Sequence, residues 1–152
     1  MPTTASTKRI HRARDKERII NTLMAEQVDV FKEIWRLLLF AAQIGLKEGK
    51  REPLESIDSG KGIDQSTFGN CPSWPGICYL MSLVEEDSSV PLSGTSEAEE
   101  RRLAIFQEYA NGGLSVLQDY FADRNPDLDS ILSFIDENSR LEAQDPDLKI
   151  SI

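Results

Sequence analysis

The sequence predicts an all-α fold, a compact bundle of about five helices behind a basic N-terminal arm, and three observations predict it. Apolar residues recur at three- and four-residue spacing instead of alternating. They cluster in residues 28–46, 74–84, 103–121 and 128–135, stretches separated by Pro, Gly and charge. At 152 residues the chain fits one domain, and a chain of that size buries roughly 70% of its unfolded surface, enough for a core without metal or disulfide. The expected organisation is a disordered N-terminus over 1–7, a single helical domain over 8–137, and an acidic flexible tail over 138–152.

The elements follow in chain order. Lys8–Arg14 reads as an extended arm or a short strand, and its alternation leaves neither face clearly apolar. Asp15 is placed to cap a first helix with the stripe Ile19, Ile20, Leu23 and Met24. Residues 30–47 are apolar on nearly every face, from Phe31 through Trp35 to Leu46, which predicts the central buried helix. Lys47, Lys50 and Arg51 complement the dipole at its C-terminal end, Gly49 supplies a stop, and Pro53 prevents continuation. Residues 52–76 read as a long irregular segment, functional or mobile, with one helical turn or strand between Ser56 and Phe68. Trp74–Val84 is a third helix, followed by a polar linker over 85–95. Ser96 with Glu99 has capping-box spacing and opens a long helix carrying Leu103, Phe106, Tyr109, Leu114 and Leu117 on one face. Asn125 as cap and Pro126 behind it open a last helix, striped by Leu128, Ile131, Leu132 and Ile135.

Composition excludes several functions. No apolar run reaches the ~18–20 residues that cross a bilayer, and the N-terminus lacks the apolar core of a secretory signal, so a cytoplasmic protein without membrane contact is expected. Cys71 and Cys78 match no zinc spacing and are expected to be reduced. His11 is the sole histidine, so any triad would have to be built on it, and no phosphate-cradling glycine motif is present. The acidic runs Glu85–Asp87 and Glu97–Glu100 read as solvated charge. Asp119, Asp123, Asp127 and Asp129 invite Mg²⁺ but fit capping equally well. The expectation is a non-enzyme with no catalytic residues, no metal and no cofactor.

Two features carry the functional reading. The first is charge. The chain's net charge is −9, yet residues 1–51 hold eleven Lys/Arg against six Asp/Glu, and residues 52–152 hold six against twenty. A basic contact surface is therefore expected at Lys8, Arg9, His11, Arg12, Arg14, Lys16 and Arg18, with double-stranded DNA as partner. An arm followed by two helices loosely matches a ribbon-helix-helix arrangement, which implies a homodimer. The alternative is a solvated arm, with the acidic half docking a basic protein. The second feature is Tyr109-Ala110-Asn111-Gly112-Gly113-Leu114. Two glycines inside a helix cost about 1 kcal/mol each against Ala, and because the apolar face stays in phase across them, close packing of a neighbouring helix is favoured over a turn. Tyr109 and Asn111 are the residues there with binding potential.

The segments Leu37–Pro53 (LLLFAAQIGLKEGKREP) and Phe106–Leu114 (FQEYANGGL) together resemble the small Dnd system-associated protein 4 family, the DNA phosphorothioation-associated proteins encoded beside bacterial DNA sulfur-modification and restriction genes. The resemblance covers about residues 8–136, and Tyr-Ala-Asn-Gly-Gly-Leu is its most specific part. It implies a role in defence against phage or foreign DNA alongside proteins of the same system. It supplies no catalytic motif.

Overall fold

A computed structural model describes the backbone of residues 8–143 and the side chains of residues 8–139. The disordered terminus expected over 1–7, and residues 144–152 of the expected tail, lie outside the described residues. Among the described residues the fold is an all-α bundle: α1 (Glu17–Met24), α2 (Ile34–Glu48), α3 (Gln65–Phe68), α4 (Trp74–Glu86), α5 (Ser96–Tyr120) and α6 (Leu128–Ala143). The exception is one short antiparallel pair, β1 (Arg9–Ile10) with β2 (Ile63–Asp64).

The centre is α2 laid against α5. Leu37, Leu38, Ala41 and Ala42 of α2 are buried, as are Phe106, Ala110, Leu114 and Leu117 of α5. The backbones meet at glycine. A Cβ on Gly45 would lie 2.8 Å from the carbonyl carbon of Tyr109, one on Gly112 2.7 Å from that of Lys50, and one on Gly113 2.5 Å from that of Ala41. These are distances at which atoms overlap. The two glycines that weaken α5 as an isolated helix are thus what lets α2 approach. Gly49 ends α2 in the left-handed region, its N–H reaching the carbonyls of Gly45 and Leu46.

The segment over 52–76 is more ordered than its composition predicted. Asp58 accepts from the Gly60 N–H to close a tight turn, β2 follows, and α3 delivers Phe68 to the core. The Phe68 ring meets Trp74 at 4.6 Å and Phe106 at 5.7 Å between centroids, and Trp74 meets Phe106 at 4.9 Å. Burying one Phe stabilises by about 1.5–3 kcal/mol, which explains why a Gly- and Pro-rich stretch holds a fixed course.

Two helix starts shift from the expected residues. Thr95, not Ser96, caps α5 by accepting from the Ala98 N–H, and Asp127, not Asn125, accepts from the Ser130 N–H at the start of α6. The last helix also continues to Ala143, past residue 137. Among its described side chains Ile131 and Phe134 are buried, the latter meeting Phe40 and Tyr120 edge-on. Leu128, Leu132 and Ile135, read as part of its core stripe, face outward.

Candidate functional site

The N-terminal arm is part of the fold. Ile10 pairs with Ile63 and Arg9 with Asp64 across the strand pair, Ala13 bridges Ile57, and both Ile10 and Ala13 are buried. The strand pairs with this chain's own 52–76 segment, where the expectation was a ribbon completed by a second copy. Buried apolar residues at 10 and 13 override the weak alternation that the basic side chains leave in the sequence.

The same packing decides where the arm's cations go. Lys8 binds Ser96 and lies 3.5 Å from Glu100. Arg9 lies 3.1 Å from Asp64. Arg12, with 9% of its side chain exposed, lies 2.7 Å from Glu17, and Lys61 reaches the same carboxylate at 3.2 Å. Burial works against ionisation of Glu17, but the hydrogen bonds from Arg12 and Lys61 hold its carboxyl below the usual range. Lys16 is 4% exposed and sits 3.6 Å from Glu52. His11 donates its backbone N–H to Gln107, and its Nδ1 is buried without a partner among the described residues. Lys16 and Arg12 are thus too enclosed to meet an external phosphate. Arg14 and Arg18 are exposed, and among the described residues neither has a carboxylate partner; the Arg14 side chain donates to the Ile57 carbonyl at 3.0 Å and its backbone N–H to that of Ser56 at 2.8 Å.

The second feature, Tyr109–Gly113, is brought against the end of α2. Lys50 carbonyl sits over Gly112, and the chain then runs through Arg51, Glu52 and Pro53 along α5. Asn111 donates to the carbonyls of Glu52 and Pro53 at 3.3 and 3.2 Å. Glu52 accepts from Ser115 at 2.6 Å and lies 3.5 Å from Lys50. On the other side Arg51 grips Glu108 through two nitrogens at 3.0 and 2.7 Å and reaches Glu85 of α4 at 2.7 Å. The Tyr109 hydroxyl donates to that Glu85. Tyr109 and then Arg51 hold Glu85 below the usual carboxylate range, while burial and the Glu85 charge push Tyr109 up to about 12. The two sequence segments that carry the family resemblance thus form one clamp joining α2, α4 and α5. Its polar groups are engaged with one another, except the Asn111 Oδ1, which is buried without a partner among the described residues; the arrangement is that of a structural joint.

Elsewhere, a groove of about 680 Å³ opens beside Gln65, Trp74, Tyr79, Glu99 and Arg102. Its polar groups are also mutually engaged. Gln65 donates to the Lys8 carbonyl and to Glu99, and Arg102 donates to the carbonyls of Pro91 and Ser93 while lying 4.5 Å over the Tyr79 ring. Cys78 at its edge is a free thiol pushed up to about 11 by burial, and so is a poor nucleophile at neutral pH. Among the described residues no cluster of His, Cys, Asp or Glu is arranged to hold a metal, and no helix is long and apolar enough to cross a membrane.

The family model described as DNA sulphur modification system-associated protein 4 matches residues 9–151. The chain belongs to that family. The match spans the arm, the clamp and α6 together, so all three are parts of one DNA sulphur modification system-associated protein. The family's description as system-associated indicates an accessory role. No curated protein and no solved structure matches the chain.

Proposed function

We propose that this member of the DNA sulphur modification system-associated protein 4 family is a non-enzymatic, cytoplasmic accessory subunit that docks a basic protein of its own system, and through that system contributes to defence against foreign DNA. The observation that carries the reading is the internal neutralisation of the arm. Lys8, Arg9, Arg12 and Lys16 face Glu100, Asp64, Glu17 and Glu52 of the same chain. The acids between Asp123 and Glu137 stay exposed on and before α6. An acidic protein with four of its arm's cations paired to its own carboxylates repels phosphate and attracts basic surfaces.

A second reading, direct DNA contact, rests on Arg14 and Arg18, exposed and one helical turn apart. Salt dependence separates the two. Two phosphate contacts give a slope near −1.8 in log K against log[salt], an affinity loss of about 12-fold between 50 and 200 mM, whereas six give a loss of roughly 2,000-fold. An anisotropy titration against duplex DNA, with and without phosphorothioate, is expected to show no binding or the shallow slope. Co-purification of the protein with individually expressed proteins of the system is expected to retain one with a basic surface. A steep salt slope removed by Lys8→Ala and Arg9→Ala would return the arm to DNA and overturn the adaptor reading.

A further inference from the structure

Arg102 of α5, in the groove beside α4, is held on two sides and open on a third. It is half-buried. Its Nη1 donates to the carbonyls of Pro91 and Ser93 at 2.6 and 2.9 Å, which engages both hydrogens of that nitrogen. Its guanidinium carbon lies 4.5 Å from the centre of the Tyr79 ring. The Nε hydrogen and both Nη2 hydrogens remain. Among the described residues they have no partner, Arg102 has no carboxylate beside it, and neither nitrogen is sealed from solvent. Taking a cation out of water without an opposite charge is costly. The more enclosed cations Arg12 and Lys16 each have a carboxylate within reach, Glu17 and Glu52. Arg102 has two carbonyls and a ring instead.

The surroundings define what completes it. The groove holds about 680 Å³, within the range of small-ligand sites. Trp74, Cys78 and Leu103 line it with apolar surface and are themselves almost wholly buried. Its other charged groups are engaged with neighbours: Arg9 lies 3.1 Å from Asp64, and Glu99 accepts from Gln65. Asp64 and Glu99 line the same groove and so repel a doubly charged phosphate. The Nε–Nη2 edge of an arginine matches the two oxygens of one carboxylate.

We propose that this groove binds a carboxylate carried on an apolar body, with the oxygens held by the Nε–Nη2 edge of Arg102 and the body laid against Trp74 and Leu103. Small organic acids and the C-terminal residue of a peptide share that chemistry. The inference is independent of the adaptor reading.

Nuclear magnetic resonance of the full chain tests it through the two tryptophan indoles, Trp74 in the groove and Trp35 outside its lining. The probes are 3-phenylpropionate and an acetylated tripeptide ending in phenylalanine, each beside its own amide. At least one acid is expected to shift Trp74, leave Trp35 in place and bind about tenfold or more tighter than its amide. The tighter acid identifies the source as free acid or peptide end. Arg102→Gln is expected to reduce that acid to the level of its amide. Because this change also releases the 91–93 loop, Ser66→Phe supplies a second test. Ser66 lines the groove and is exposed, so a phenyl ring there competes for the apolar surface and leaves Arg102 in place. It is expected to weaken the acid about tenfold with an unchanged thermal melt. Acid and amide binding alike overturns the proposal, as does undiminished binding by Ser66→Phe. So does a shift at Trp35 instead of Trp74, or no saturable shift with either acid up to about 10 mM.

Discussion

Replacing Gly113 with Ala tests the central contact of the fold, because two known effects oppose each other there. In an isolated helix the change stabilises by about 1 kcal/mol. Here the new methyl would start 2.5 Å from the carbonyl carbon of Ala41. Carbon atoms pack at about 3.5–4.0 Å, so α2 and α5 must separate by about 1 Å, and the obstacle is backbone that has no alternative rotamer. Overpacking of this kind costs about 1–3 kcal/mol, and a gap of that width forfeits a quarter to a half of the dispersion between neighbours such as Leu38, Phe106 and Leu114. The clash wins. A net loss of about 2 kcal/mol or more is expected, lowering Tm by about 4–8 °C for a chain of this length. Gly76→Ala is the matched control: this glycine lies in α4, and a Cβ there meets nothing within 4 Å. It is expected to raise Tm by a few degrees. Thermal melts of both variants decide the matter, and a Gly113→Ala protein as stable as wild type would refute the close approach of α2 and α5.

Other outcomes follow from the same geometry. Tyr109 has its hydroxyl held neutral, with its folded pKa raised from 10 to about 12. Its contribution is full below pH 10 and fades as pH rises toward 12, by up to about 2–3 kcal/mol; Tyr109→Phe should remove that alkaline loss in urea titrations at pH 9 and 11.5. Glu85, held low by Tyr109 and Arg51, contributes above the ordinary carboxylate range and loses that contribution as pH falls through its depressed value, so Glu85→Gln should flatten the acid limb of stability. Glu52→Gln removes one of the two carboxylates beside enclosed Lys16 and leaves it with the exposed Asp15 at 3.4 Å. Because Glu52 is itself partly open to water, a loss of about 1–3 kcal/mol in chemical denaturation is expected, below the full cost of breaking a buried pair. Iodoacetamide at neutral pH should modify half-buried Cys71 before buried Cys78, which should react at an appreciable rate only in denaturant.

The charge asymmetry of the sequence has two physical meanings, and the chain alone cannot choose between them. A basic first third and an acidic remainder suit a protein that meets a polyanion; they suit equally a protein whose two parts attract each other. The fold takes largely the second course, through Lys8 with Glu100, Lys16 with Glu52 and Arg51 with Glu85 and Glu108. Arg14 and Arg18 keep the first course open on a smaller scale. The outward turn of Leu128, Leu132 and Ile135 escaped the sequence for a related reason: with Ile131 they form one broad apolar stripe, and periodicity does not tell which half of a stripe is covered.

Local chemistry was enough for the helices. Apolar spacing set out five of them near their observed places, Gly49 marked the end of α2, and the paired glycines in α5 signalled close packing, because each depends on residues within one or two turns. The tertiary structure alone decided that Phe68 is core, that β1 closes on its own chain, and which charges face each other. Those outcomes depend on residues tens of positions apart meeting in space, and no local pattern records such a meeting.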